Sequence, residues 1–141
     1  MRIRDCLRKA PVTVSPRASM AEVGSIMAEY GVGAVLVLDG DALVGIVTDR
    51  DLVVRGVAAR QGPAAMVEGV MTARPVTVQG HADLDEAVAL FAKGGFRRLP
   101  VLEDDQLAGM LTVDDVLLGG VELMRAVLAP VLSEATSGRR P

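Results

Sequence analysis

The chain has 141 residues, half of them hydrophobic, yet aromatic residues make up only 2%. That length serves one domain or two small repeats sharing a core, which must be built from Val, Leu, Ala, Ile and Met. A formal net charge of -3 without a long basic run argues against a nucleic-acid partner, and the single cysteine, Cys6, excludes an internal disulfide or cysteine-cluster metal site.

The N-terminus lacks an apolar signal core, and no apolar run approaches membrane-spanning length. A cytoplasmic protein with no membrane partner is therefore expected. The polar segment 1–10 reads as a short lead-in helix. Pro11-Val12-Thr13-Val14 reads as a short strand. Ser19-Met20-Ala21-Glu22 has the capping-box pattern, and Met20, Val23, Ile26 and Met27 follow at helical spacing. Gly31 can end that helix in the left-handed conformation. Ala34 to Leu38 is a buried-strand run, Asp39-Gly40-Asp41 a turn, and Leu43 to Val47 the next strand. Thr48 then opens a further helix.

The second half repeats the first. Gly109 and Gly45 stand 64 positions apart, and this offset aligns Pro11 to Val57 with the second half without a gap. Pro75-Val76-Thr77-Val78 matches Pro11-Val12-Thr13-Val14, Val101-Leu102 matches Val37-Leu38, and Asp83 takes the capping place of Ser19. The unit is β-α-β-β-α, and such a unit cannot bury both faces of its strands alone. The expected fold is thus α+β: two tandem repeats packed with pseudo-two-fold symmetry. The expected boundaries are 1–62 for the first repeat with its lead-in, 63–132 for the second with its C-terminal helix, and 133–141 for a disordered tail. The apolar stretch up to Leu132 is a candidate oligomer contact.

Each repeat carries Gly-x-x-Thr-x-x-Asp at a strand-to-helix turn: Gly45, Thr48 and Asp51, then Gly109, Thr112 and Asp115. The hydroxyl and carboxylate fall on one face of the first helical turn, beside backbone N–H groups with no helical partner. Two readings stay open. Either the pair caps the helix only, or it holds a polar ligand such as an anion. Arginine forks suit phosphate, so Arg50, Arg97 and Arg98 are candidates, although strand alternation predicts that only one of Arg97 and Arg98 reaches a ligand. His81 reads as a solvent-exposed loop residue, and Cys6 has no histidine nearby for catalysis. Gly45 and Gly109 read as close-packing positions.

The two turns, the two Pro-Val-Thr-Val segments and Arg97-Arg98-Leu99-Pro100-Val101 together resemble the CBS motif, and the tandem arrangement resembles a CBS-domain pair, or Bateman module. The resemblance covers nearly the whole chain. It implies a regulatory module, not an enzyme, that needs no cofactor and binds adenosine-containing ligands such as AMP, ADP or ATP between the repeats. It further implies a homodimer and an unidentified regulated protein. Carried over residue by residue, the main cleft would join Ile46, Thr48, Arg50 and Asp51 to Thr72, Pro75, Thr77, Arg97, Arg98 and Pro100. A second, weaker cleft would join Met110, Thr112 and Asp115 to Arg8, Pro11, Thr13 and Ala34. Asp51 and Asp115 would accept the ribose hydroxyls, Thr48 and Thr112 would donate to phosphate, and Ile46 and Val76 would flank the adenine. The competing reading is a structural dimerisation module with vestigial clefts. An enzyme is disfavoured because no Ser–His or Cys–His arrangement, metal-ligand cluster or P-loop is visible.

Overall fold

The computed structural model describes residues 1–136. After a 3-10 turn at Ile3–Cys6 come β1 (Thr13–Val14), α1 (Met20–Tyr30), β2 (Ala34–Asp39), β3 (Ala42–Thr48) and α2 (Asp49–Asp51), which continues as a π-helical turn at Leu52–Val57. A second 3-10 turn, Val67–Gly69, leads to β4 (Thr72–Ala73), β5 (Val78–Gln79), α3 (Leu84–Ala92), β6 (Arg98–Glu103), β7 (Gln106–Thr112) and α4 (Val113–Thr136). The two sheets have the orders β1-β2-β3-β4 and β5-β6-β7. In each, a parallel pair precedes an antiparallel one, as a β-α-β-β unit requires. The duplication extends to irregularities: the register shifts at Val37/Leu38 and again at Val101/Leu102, the equivalent step.

Local chemistry sets the element ends. Ser19 Oγ accepts from Glu22 N at 3.1 Å while Glu22 Oε2 accepts from Ser19 N at 3.0 Å, closing the expected capping box. Gly31 ends α1 at φ 63°. Asp83 does stand at the start of α3, but its side chain makes no cap; it faces the Arg2 guanidinium at 3.3 Å instead. The β6–β7 turn carries Asp104 and Asp105 at φ 49° and 60°, the handedness a tight hairpin requires.

The lead-ins cross over. One core gathers Val14, Val23, Met27, Val35, Val37 and Val47 of the first repeat around Val67 and Val70 from the lead-in of the second. The other gathers Val78, Ala87, Leu99, Val101 and Leu111 around Ile3 and Cys6. Ile3 and Val67 stand 64 positions apart, as do Cys6 and Val70, so the duplication begins earlier than Pro11. The lead-in expected to belong to the first repeat packs into the second. Ile3 N donates to Ala82 O at 3.0 Å, and β4 joins the first sheet by pairing Thr72 with Ile46. The glycines of the two turns permit this crossing. A Cβ on Gly45 would meet Met71 Sδ, and one on Gly109 would lie 2.9 Å from Leu7 Cδ1.

Two expectations change at the C-terminus. Residues 133–136, expected to belong to a disordered tail, continue α4; the rest of that expected tail, 137–141, lies outside the described residues. Although no uninterrupted apolar run spans a membrane, α4 as a whole is long and apolar enough to do so, with hydropathy 1.7 and 6% of its most apolar window buried.

Candidate functional site

β3 runs into α2 through Thr48, whose extended backbone (φ -109°, ψ 163°) makes it the N-cap. Thr48 Oγ1 accepts from Asp51 N at 3.1 Å, and Asp51 Oδ2 accepts from Thr48 N at 2.9 Å. The second turn repeats this, with Asp115 N donating to Thr112 Oγ1 at 3.1 Å and Thr112 N to Asp115 Oδ2 at 2.8 Å. Both turns are therefore capping boxes, which locks each carboxylate at a cleft wall. Capping leaves acceptor capacity, since a carboxylate has about four lone-pair sites. The second copy has a further bond, with the Thr112 hydroxyl also donating to Asp115 Oδ2 at 2.8 Å.

The larger cleft, about 520 Å³, opens between the repeats. The first repeat contributes Ile46, Thr48, Arg50 and Asp51, and the second contributes Thr72, Pro75, Arg97, Arg98 and Pro100, all as expected. Thr77 does not line it: the residue precedes β5 and is half-buried outside the cleft wall. Arg97 and Arg98 both line it, contrary to strand alternation, because β6 begins only at Arg98. Arg97 lies before the strand, where its carbonyl accepts from Val113 N at 3.1 Å.

Four further lining residues were not expected: Asp49, Arg74, Gly95 and Phe96. Arg74 takes φ 50° between β4 and Pro75, with its N–H on Val44 O at 3.2 Å. The only signal for it was an arginine directly before the Pro-Val-Thr-Val segment. Gly95 and Phe96 belong to the loop after α3, which periodicity does not read. Four arginines thus face one cleft with two carboxylates, Asp49 and Asp51. Arg55, beside Asp51 at 3.9 Å, donates to Met71 O at 3.1 Å and does not line the cleft.

The second cleft, about 310 Å³, is lined by Pro11, Ala34, Met110, Thr112 and Asp115 as expected, together with Lys9, Arg98 and Asp114. Two expected residues are elsewhere. Arg8 is drawn off by Glu122 on α4, with Nη2 to Oε2 at 3.0 Å. That bond raises the Arg8 pKa and holds the Glu122 carboxyl below its ordinary range. Thr13 is exposed and lines a separate depression beside Ile26, Glu29 and Tyr30. Arg98 lies between the clefts and lines both. Among the described residues no group of His, Cys, Asp and Glu could hold a metal ion.

Comparison with known proteins agrees with this architecture. The CBS-domain family model matches residues 3–56 and again 67–120. The uncharacterised protein YlbB of Bacillus subtilis is 40% identical over 114 residues, covering 79% of this chain and 76% of its own length. Among solved structures, a CBS-domain-containing protein of Agrobacterium tumefaciens is 31% identical with a TM-score of 0.75, over 84% of this chain and 98% of that one. The structure of CBSX2 in complex with AMP is 28% identical with a TM-score of 0.77, over 88% and 98%. With two matches placed on the two repeats of the fold, the chain belongs to the CBS-domain family and carries two CBS domains in tandem.

Proposed function

We propose that the chain is a regulatory module that binds an adenosine-containing nucleotide, AMP, ADP or ATP, in its larger cleft. The observation that carries this reading is the composition of that cleft, where Arg50 of the Thr48–Asp51 turn and Arg74, Arg97 and Arg98 of the second repeat line one space. A carboxylate can accept both hydroxyls of a ribose, a threonine hydroxyl can donate to phosphate, and guanidinium forks pair with phosphate oxygens. Ile46, Val76 and Pro100 supply an apolar wall for a purine. The AMP held by CBSX2 supports the choice of ligand class. A vestigial cleft in a structural module has no need of four cations gathered around one carboxylate turn.

Binding across two repeats couples ligand to the angle between them, which is how occupancy would reach a regulated protein. The module acts as a homodimer. Val53, Val54 and Val57 are exposed after the first turn, and Leu117, Leu118 and Val121, each 64 positions on, are exposed after the second. A thermal-shift screen with AMP, ADP, ATP, NAD and S-adenosylmethionine tests the reading. A ligand at about 100 times its Kd stabilises the folded form by about 2.7 kcal/mol, so an adenine nucleotide should raise Tm. No shift with any of the five at millimolar concentration would refute it.

A further inference from the structure

Among the described residues Arg98 alone lines both clefts. Its backbone lies on the side of the second turn, where β6 pairs Arg98 with Thr112 of β7. Its guanidinium reaches back towards the first turn. A Cβ on Gly33 would lie 3.3 Å from Arg98 Nη2 and 3.2 Å from Asp49 Oδ2. Gly33 lines the smaller cleft and Asp49 the larger, so the charged head stands at the partition between them. Gly33 has no positive φ, so the close approach of that head, not the backbone, is what calls for glycine there.

The duplication supplies no second residue of this kind. The places equivalent to Arg97 and Arg98, 64 positions earlier, hold Gly33 and Ala34. Nor is the guanidinium claimed by the fold. Arg2, Arg4 and Arg8 are paired with Asp83, Glu103 and Glu122, whereas the Arg98 side chain makes no hydrogen bond or ion pair among the described residues. We infer that Arg98 is one cation shared by two clefts, so that a phosphate bound in the larger withdraws it from the smaller and changes which ligand the smaller accepts. The inference rests on the nucleotide reading above. One guanidinium fork can close on the phosphate of only one cleft at a time. With Arg98 committed to the larger cleft, the smaller keeps Lys9 against Asp114 and Asp115. That balance disfavours a phosphate and suits a nucleoside or another ligand without one. With the larger cleft empty, Arg98 offsets one of those carboxylates and an anion can enter. The coupling is reciprocal: a phosphate in the smaller cleft weakens binding in the larger by the same factor.

The test is an AMP titration of the isotope-labelled full chain, followed by amide resonances. Asp51 and Thr72 report the larger cleft, Lys9 and Asp115 the smaller. Four proteins are compared: wild type, Arg98→Met, and the same two with the larger cleft blocked by Val76→Trp. Val76 lines that cleft, is 44% exposed, and its replacement alters no charge. Thr72→Trp, lining the same cleft, serves as the block if Val76→Trp unfolds the chain. With the larger cleft filled, Arg98→Met should leave the affinity of the smaller cleft for AMP unchanged within about twofold. With the larger cleft blocked, the same substitution should weaken that affinity about threefold to tenfold. An equal loss in both backgrounds would show that Arg98 stays with the smaller cleft. No loss in either, or no AMP at Lys9 and Asp115 even with the larger cleft blocked, would show that it serves the larger alone. Each of these would overturn the sharing and leave the nucleotide reading standing. AMP that moves neither Asp51 nor Thr72 in the wild type would refute that reading, and the sharing with it.

Discussion

Asp51 is both a helix cap and the proposed ribose acceptor, and the two roles separate on measurement. Asp51→Ala should destabilise the fold by about 1 kcal/mol through the lost cap. It should also weaken nucleotide binding by about 1.5–3 kcal/mol, roughly ten- to a hundredfold or more. A melting curve beside a calorimetric titration distinguishes them, and unchanged affinity would reduce Asp51 to a cap. Cys6 makes a different prediction. Its thiol is buried, and desolvation, reinforced by the negative charge of Asp5, raises its pKa. The thiolate is therefore disfavoured in the folded state, and a thiol reagent at pH 8 should react with native protein more than about tenfold slower than with protein in urea. Equal rates would show that the N-terminal turn is open. At this scale the sequence exposed the residues with a chemical signature, Thr48, Asp51 and the arginine pair. It hid Arg8, because an exposed cation is claimed by whichever carboxylate the fold brings near, here Glu122 from a distant helix.

Between elements, the crossing of the lead-ins decides how the cleft is held. Thr72 pairs with Ile46 through β4, so the lead-in of the second repeat supplies one wall of the site. The arrangement predicts that Ile3, wholly buried among residues of the second repeat, matters to that repeat. Ile3→Ala should cost about 2–5 kcal/mol, and unfolding followed by hydrogen exchange should show β5–β7 losing protection first. Loss confined to the first repeat would contradict the packing. Gly45→Ala tests the same crossing, because its methyl would press on Met71 and should destabilise by about 1–3 kcal/mol. Strands, helices and the duplication were readable from periodicity and a constant offset of 64. Which core each lead-in enters was not, because Ile3, Cys6, Val67 and Val70 have the same apolar character whichever repeat they join. The extent of α4 was likewise obscured by Gly119, Gly120 and Pro130, residues that disfavour helix locally but that the long helix accommodates.

Across the whole molecule the pseudo-two-fold axis makes two clefts from one plan, and their charges break the symmetry. The larger presents four arginines and two aspartates; the smaller presents Lys9 and Arg98 with Asp114 and Asp115. Arg50 and Asp114 occupy equivalent places, so the sign of one side chain reverses between the sites. Each cation within reach of a phosphate in such a half-exposed site is worth about 1 kcal/mol, and a carboxylate opposes it similarly. The difference amounts to about 2–4 kcal/mol in favour of the larger cleft, tens- to hundreds-fold or more in affinity. Calorimetric titration of AMP and ATP into wild type and Arg50→Asp tests this most directly. The account predicts one tight site per chain in the wild type, weakened at least about tenfold in Arg50→Asp. Two equal sites per chain, or unchanged affinity in the variant, would contradict it.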